Sequence, residues 1–208
     1  MELNSDLVKL IESTHSEFVG NLSSDPNTHI IVDEGRSFMI RTSENYDIIQ
    51  GIGLDNFAAL NGGAYVLSES YLYTVDAIEL ALSRLAPNGV FSWTRTVYTP
   101  PREMLRLSGV VAEALRRKGI EDPSAHILIV ASEDGAYATL LASNQPFDEN
   151  IVSEFRKWAA ENRFPILHDP LLPVDTLFSE YLLSDSPRAF EEAYSFNIFP
   201  VTDNNPFF

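Results

Sequence analysis

Apolar residues return every three or four positions in some stretches of this chain and gather into short unbroken runs in others, and the alternation of these two patterns predicts its elements. Between Asp6 and Val19 the positions Leu7, Ile11 and Phe18 share one helical face with Leu10 beside them, which predicts a first helix. HIIVDE then reads as a short buried strand, RSFMIRTS as a helical turn, and YDIIQGIG as a second buried strand. Its Ile48-Ile49 run suits a parallel sheet covered on both faces. In SESYLYTVDAIELALSRLAPNG, Thr74 is the N-cap, the apolar face runs through Ile78, Leu82 and Leu85, and Pro87-Asn88-Gly89 is the stop.

GVFSWTRT is the next strand, and Pro100-Pro101 opens the helix REMLRLSGVVAEALRRKG with Gly119 as its C-cap. HILIVAS and YATLLAS read as strands joined by a hairpin at Asp134-Gly135. A helix over DENIVSEFRKWAAENR, a short strand near FPILH and a helical segment around TLFSEYLL follow, and the tail NIFPVTDNNPFF reads as irregular. Strands alternating with helices, ending in an antiparallel pair, predict an α/β fold with a mostly parallel, doubly wound sheet and helices on both faces. Neither repeats nor a linker interrupts it, so the expected organisation is one domain over residues 1–208.

Composition narrows the function classes. The 208 residues are 45% hydrophobic, enough for a substantial core. A net charge of −16, with 14 Lys and Arg against 30 Asp and Glu, argues against nucleic-acid binding. It allows a cationic partner, although most acidic proteins are simply acidic. The absence of cysteine removes disulfides, thiol nucleophiles and thiolate metal sites. No secretory signal and no apolar stretch of membrane-spanning length is found, so the expectation is a soluble protein, cytoplasmic by default. His15, His29, His126 and His168 are scattered without metal-ligand spacing, and no serine sits in a nucleophile elbow, so neither a metal site nor a hydrolase is expected.

Five stretches, VDEGRSF, YDIIQ, LSESYLYTVDAI, LAPNGVFSWTR and VTDNNPFF, together resemble the spermidine synthase-like branch of the class I S-adenosylmethionine-dependent methyltransferase fold. The resemblance covers nearly the whole chain and implies a Rossmann-like architecture. In that family the first strand ends in a glycine-rich loop and the second in an acidic residue that holds the ribose hydroxyls. ELN resembles the second-strand end, with Glu2 in the acidic position, while no Gly-x-Gly-x-Gly run occurs. The chain therefore reads as an internal piece of a larger gene product, a truncated domain lacking the first two strands of the family fold. HIIVDE is expected to close that gap by pairing directly with YDIIQG, and the apolar surface near the N-terminal third is expected to support a homodimer.

The resemblance also implies a site. Glu34, before Gly35, stands where the family has an acidic residue accepting a hydrogen bond from the adenine amino group; the alternative is a solvated turn carboxylate. In YDIIQGIGLDNF, Ile52 falls where the family's first catalytic Asp should be, and Asp55 remains as the second, substrate-gripping one. Isoleucine can neither accept a proton nor stabilise an ammonium ion. Tyr65, Tyr71 and Tyr73 would wall in a substrate amine, or simply pack a helix start. Trp93 and Arg95 point to the same crevice by topology, where Arg95 holds a carboxylate or pairs with a nearby acid. The implied cofactor is S-adenosylmethionine or its decarboxylated form, and the implied partner a small-molecule amine. Two functions compete: an aminopropyl- or methyltransferase-like domain that is catalytically incompetent as this polypeptide, and a non-catalytic interaction or assembly domain that keeps the fold.

Overall fold

Five apolar runs beyond residue 45 become strands: β1 (Tyr46–Ile52), β2 (Leu85–Thr96), β3 (Ile127–Ala131), β4 (Tyr137–Ser143) and β5 (Ile166–His168). In the computed structural model, which describes residues 1–2, 4–52 and 71–208, they form one sheet in the order β1-β2-β4-β3-β5. The described chain divides into two compact units, Met1–Ser43 and Glu44–Phe208, where the sequence reading counts one domain.

In the first unit, α1 (Ser5–Glu12) starts where the Asn4 side chain accepts hydrogen bonds from the N–H groups of Asp6 and Leu7 at 2.9 and 3.3 Å. The helix is shorter than its apolar spacing predicts. It stops at Ser13, whose hydroxyl donates back to the Lys9 carbonyl at 2.5 Å, and the chain then turns through left-handed Gly20 and Asn21. Phe18, expected on the apolar face, is 89% exposed, and Val8 is the helix residue that is buried. HIIVDE does not become a strand of the sheet. Among the described residues it makes one parallel bridge, Val32 to Glu2, closed by Glu2 N–H to the Ile31 carbonyl at 3.0 Å and Asp33 N–H to the Glu2 carbonyl at 3.1 Å. The helical turn expected at RSFMIRTS is α2 (Gly35–Arg41).

The second unit is α/β as expected, but its sheet is mainly antiparallel. β1 and β2 run parallel, while β2–β4, β3–β4 and β3–β5 are antiparallel ladders. A fully buried apolar run has the same appearance in either orientation, and all five residues of β3 are buried. β1 has β2 as its one sheet neighbour among the described residues, so the expected pairing with HIIVDE is not part of this sheet.

Helix α3 (Val75–Ser83) is capped by Thr74, whose hydroxyl oxygen accepts from Ala77 N–H at 3.2 Å. Its end precedes the predicted stop: Arg84 is the C-cap, and Pro87-Asn88-Gly89 lies inside β2. Gly89 is required there, because a Cβ would come within 2.7 Å of the Tyr46 carbonyl oxygen on β1. The hairpin between β3 and β4 turns at Gly135, φ 69°, while Asp134 accepts from Ala136 N–H at 3.0 Å.

Helix α4 (Glu103–Arg117) buries Met104, Leu105, Leu107, Val110, Val111, Ala114 and Leu115 completely, and Gly119 at φ 87° follows its C-cap Lys118. Helices α5 (Glu149–Glu161), α6 (Leu177–Leu182) and α7 (Pro187–Ala193) complete the unit; α7 is not anticipated by apolar periodicity, although Pro187 at its first turn is a helix-start signal. α6 and α7 are joined by a buried bond from the Tyr181 hydroxyl to Glu191 Oε1 at 2.6 Å. Burial raises the Glu191 pKa, against the lowering effect of that bond.

The Tyr181 ring fits against the bare backbone of Gly109 on α4. Replacing a mid-helix glycine by alanine ordinarily gains about 1 kcal/mol of helix propensity. Here the added Cβ meets the Tyr181 hydroxyl directly and two ring carbons at 3.0 and 3.1 Å. Gly109→Ala is expected to destabilise the protein by about 1–3 kcal/mol in urea unfolding, as overpacking does; a stabilised variant would show that Tyr181 moves aside freely.

Candidate functional site

The residues singled out from the sequence fall into two groups, one in each unit. In the first unit the Glu2–Val32 bridge sets two extended segments side by side and parallel, so that Glu2 and the Asp33-Glu34-Gly35 corner share a neighbourhood. Glu2 Oε1 accepts from Asn4 N–H at 2.8 Å. Glu34 is the N-cap of α2: its two carboxylate oxygens accept from Arg36 N–H at 3.0 Å and Ser37 N–H at 2.7 Å. Burial pushes its pKa up, but these hydrogen bonds and the nearby Arg36 guanidinium more than offset that, so it lies below the usual carboxylate value. Glu34 is thus held as an anion, with the Ser37 hydroxyl as a third donor to its carboxylate.

Asp33 was missed by sequence reasoning. It accepts from Glu34 N–H at 2.8 Å and pairs with the Arg41 guanidinium, clasping both ends of α2. The signal was present as an acidic pair facing a basic residue two helical turns on, but it reads equally as a solvated helix.

In the second unit, Tyr73, Trp93 and Arg95 are brought together. β2 places Phe91, Trp93 and Arg95 on one face, and the rings of Phe91 and Trp93 stack with centroids 5.1 Å apart. Tyr73 meets Trp93 edge-on at 5.8 Å and stacks on Phe208 at 4.7 Å. The Arg95 guanidinium lies 4.4 Å from the Tyr73 ring centroid and 4.9 Å from that of Phe208, and forms an ion pair with Glu103 at the start of α4. Of the two roles open to Arg95, pairing with a nearby acid is the one observed. Trp93 packs across Gly51 of β1, where a Cβ would lie 2.6 Å from the indole, and its Nε1 is buried with no partner among the described residues.

The tail closes this cluster. Val75 N–H donates to the Val201 carbonyl at 2.8 Å, the Thr74 hydroxyl to Asp203 at 2.7 Å, and Asp203 N–H to Asp76 at 2.9 Å. Arg106 donates to the carbonyls of Phe199 and Phe207 at 3.0 and 3.2 Å. Sequence reasoning read this segment as irregular, and it is irregular in conformation, yet side chains of α3 and α4 tie it down. Tyr71 is exposed at the start of a 3₁₀ turn, where its carbonyl accepts from the Thr74 hydroxyl at 3.2 Å, and Ile52 is exposed at the end of β1. Asp55 and Tyr65 lie outside the described residues. Among the described residues no group of three or more His, Asp or Glu side chains is placed to hold a metal, and no helix is long and apolar enough to cross a membrane.

A single parallel pair leading into antiparallel strands, with helices packed around them, is a mixed α/β arrangement of the Rossmann-like kind. The chain resembles solved spermidine synthases, which have a class I methyltransferase-like fold. A probable spermidine synthase from Corynebacterium glutamicum superposes with a TM-score of 0.53 at 18% identity, covering 81% of this chain and 56% of that one. The spermidine synthase from Thermotoga maritima aligns over 74% of this chain and 49% of its own, with a TM-score of 0.46 at 18% identity. This chain therefore spans little more than half the length of the Corynebacterium protein. No protein-family model matches it.

Because its carboxylate satisfies two N–H groups of α2, removing it leaves the helix start uncapped. Glu34→Ala is expected to cost about 1 kcal/mol in chemical denaturation; a change below about 0.3 kcal/mol would mean that water replaces the cap without loss.

Proposed function

We propose that this chain is a spermidine synthase-like domain that retains an adenosyl-binding corner and, as this polypeptide, does not transfer aminopropyl groups. The observation that carries the reading is the parallel bridge that sets Glu2 beside the Asp33-Glu34 corner. Two acidic chain ends in this arrangement suit an adenosine: one carboxylate accepts from ribose hydroxyls, and the anionic Glu34 accepts from the adenine amino group. The ligand class is S-adenosylmethionine, its decarboxylated form or their methylthioadenosine product. On the acceptor side, Ile52 offers no proton acceptor, and the Arg95 cation is matched by Glu103.

Calorimetric titration with methylthioadenosine tests the binding half. Saturable binding is expected, weakened at least tenfold by Glu34→Ala through loss of a charge-assisted bond worth roughly 1.5–3 kcal/mol. No saturable binding to the unaltered chain would overturn it, and unchanged affinity in the variant would remove Glu34 from the site. For the catalytic half, decarboxylated cofactor and putrescine are expected to yield no methylthioadenosine; its release would refute incompetence.

One feature favours a second reading, an assembly module. Ile48 and Ile52 are 65% and 59% exposed on one face of β1, an edge strand among the described residues. Exposed apolar edge strands invite pairing with another chain. On this reading sedimentation equilibrium at ~100 μM, well above the micromolar dissociation constants of weak specific pairs, finds a homodimer that Ile48→Lys weakens. A monomer at that concentration would rule it out.

A further inference from the structure

His168 closes β5 and has no solvent exposure. Its Nε2 lies 3.1 Å from the Ser124 carbonyl oxygen. A carbonyl only accepts, so Nε2 carries the proton, and Nδ1 is left as a bare acceptor. That Nδ1 is buried and has no hydrogen-bond partner among the described residues. A neutral imidazole tolerates this arrangement at modest cost, whereas an imidazolium would carry a second N–H with nothing to receive it.

The surrounding charged groups are already engaged. Asp169 accepts from Arg156 Nε and Nη2 at 2.6 and 2.8 Å, and from the N–H groups of Leu171 and Leu172 at 2.9 and 3.1 Å. Asp122 caps the 3₁₀ turn Pro123–His126, accepting from Ser124 N–H at 3.1 Å and the Ser124 hydroxyl at 2.6 Å. His126, on that turn, bonds through Nδ1 to the Ser143 carbonyl at 3.0 Å. β3, the strand beside β5, has no titratable side chain, and Glu180 on α6 is exposed. Burial pushes the His168 pKa down, outweighing the Ser124 bond and the pull of Asp169 and Asp122.

The strand that holds this imidazole is short and lies at the edge of the sheet. β5 has three residues and pairs with β3 at Ile129↔His168 and Val130↔Ile166 across a register irregularity, with Ala131 N–H donating to the Pro165 carbonyl at 2.8 Å just before it and the Thr176 hydroxyl to the Leu167 carbonyl.

We propose that His168 is a proton-operated latch: the neutral imidazole holds β5 and the Pro123–His126 turn against the sheet edge, and proton uptake releases β5 to solvent while β1, β2 and β4 stay paired. Once released, the imidazole has its ordinary pKa of 6.5. The released form then binds one proton that the closed form refuses. The closed form's advantage is therefore complete above pH 6.5 and shrinks about tenfold for each pH unit below it, until the closed-state pKa is reached. Glu191 acts with the opposite sign, since its raised pKa makes acidification stabilising, and it lies on α7. Asp169, with a lowered pKa, loses its contribution only as pH falls below 3.8, outside this window.

Hydrogen exchange read by mass spectrometry on the whole chain at pH 7.5 and 5.5, corrected for intrinsic exchange rates, tests the latch. Segments 164–170 and 122–126 are expected to open about tenfold more often at pH 5.5, with β2 and β4 unchanged. His168→Gln, whose amide can donate to the Ser124 carbonyl and does not titrate, is expected to abolish the difference. Long-range ¹H–¹⁵N spectra of the unaltered chain supply a readout independent of that variant's folding: His168 should be the neutral Nε2–H tautomer at pH 7.5. Equal protection at both pH values, the same pH response in His168→Gln, or titration of His168 near 6.5 while β5 stays protected would each overturn the proposal.

Discussion

The second unit depends on β2 being satisfied along both edges. β1 lies parallel to it on one side and β4 antiparallel on the other, so a twelve-residue strand is held in the sheet interior. Because strand side chains alternate between faces, this pairing commits Phe91, Trp93 and Arg95 to one face and Ser92 and Thr94 to the other. On the second face the Thr94 hydroxyl meets Thr139 of β4 at 2.8 Å. On the first, a charged guanidinium is carried into the interior, and the helices and tail on that side must accommodate it.

Burying a cation is costly unless a counter-charge accompanies it. Arg95 is 3% exposed, and Glu103 at the first turn of α4 supplies the counter-charge, while Tyr73 and Phe208 offer ring faces. Helix α4 is therefore fixed at its start by the ion pair and along its length by apolar side chains. Arg106, one turn further on, anchors the tail through two carbonyls. The aromatic and cationic groups that would suit a ligand are, in this arrangement, engaged with one another.

The acidic corner of the first unit has a different character. Glu34 does structural work as a cap, its carboxylate accepting from two N–H groups and from the Ser37 hydroxyl. The likeness to the Corynebacterium protein, at 18% identity, carries the fold, and function rests on these side chains.

Local signals in the sequence determined a good part of this protein. Thr74 as a helix cap, Asp134-Gly135 as a hairpin and the apolar runs of β1, β3 and β4 were legible because caps, left-handed turns and burial leave residue-level marks within a few positions. Tyr73, Trp93 and Arg95 could be drawn to one place because topology puts a strand end beside the start of a neighbouring helix. Strand orientation could not be read, since the buried run of β3 is as apolar as any parallel strand. HIIVDE had the composition of a strand, but strand formation requires a neighbour for its backbone groups, and among the described residues Glu2 alone bridges to it. The anchoring of the tail, the pairing of Arg95 with Glu103 and the orphan nitrogen of His168 join residues distant in sequence or depend on burial. Those were decided by tertiary structure alone, because which polar groups lose water depends on what folds over them.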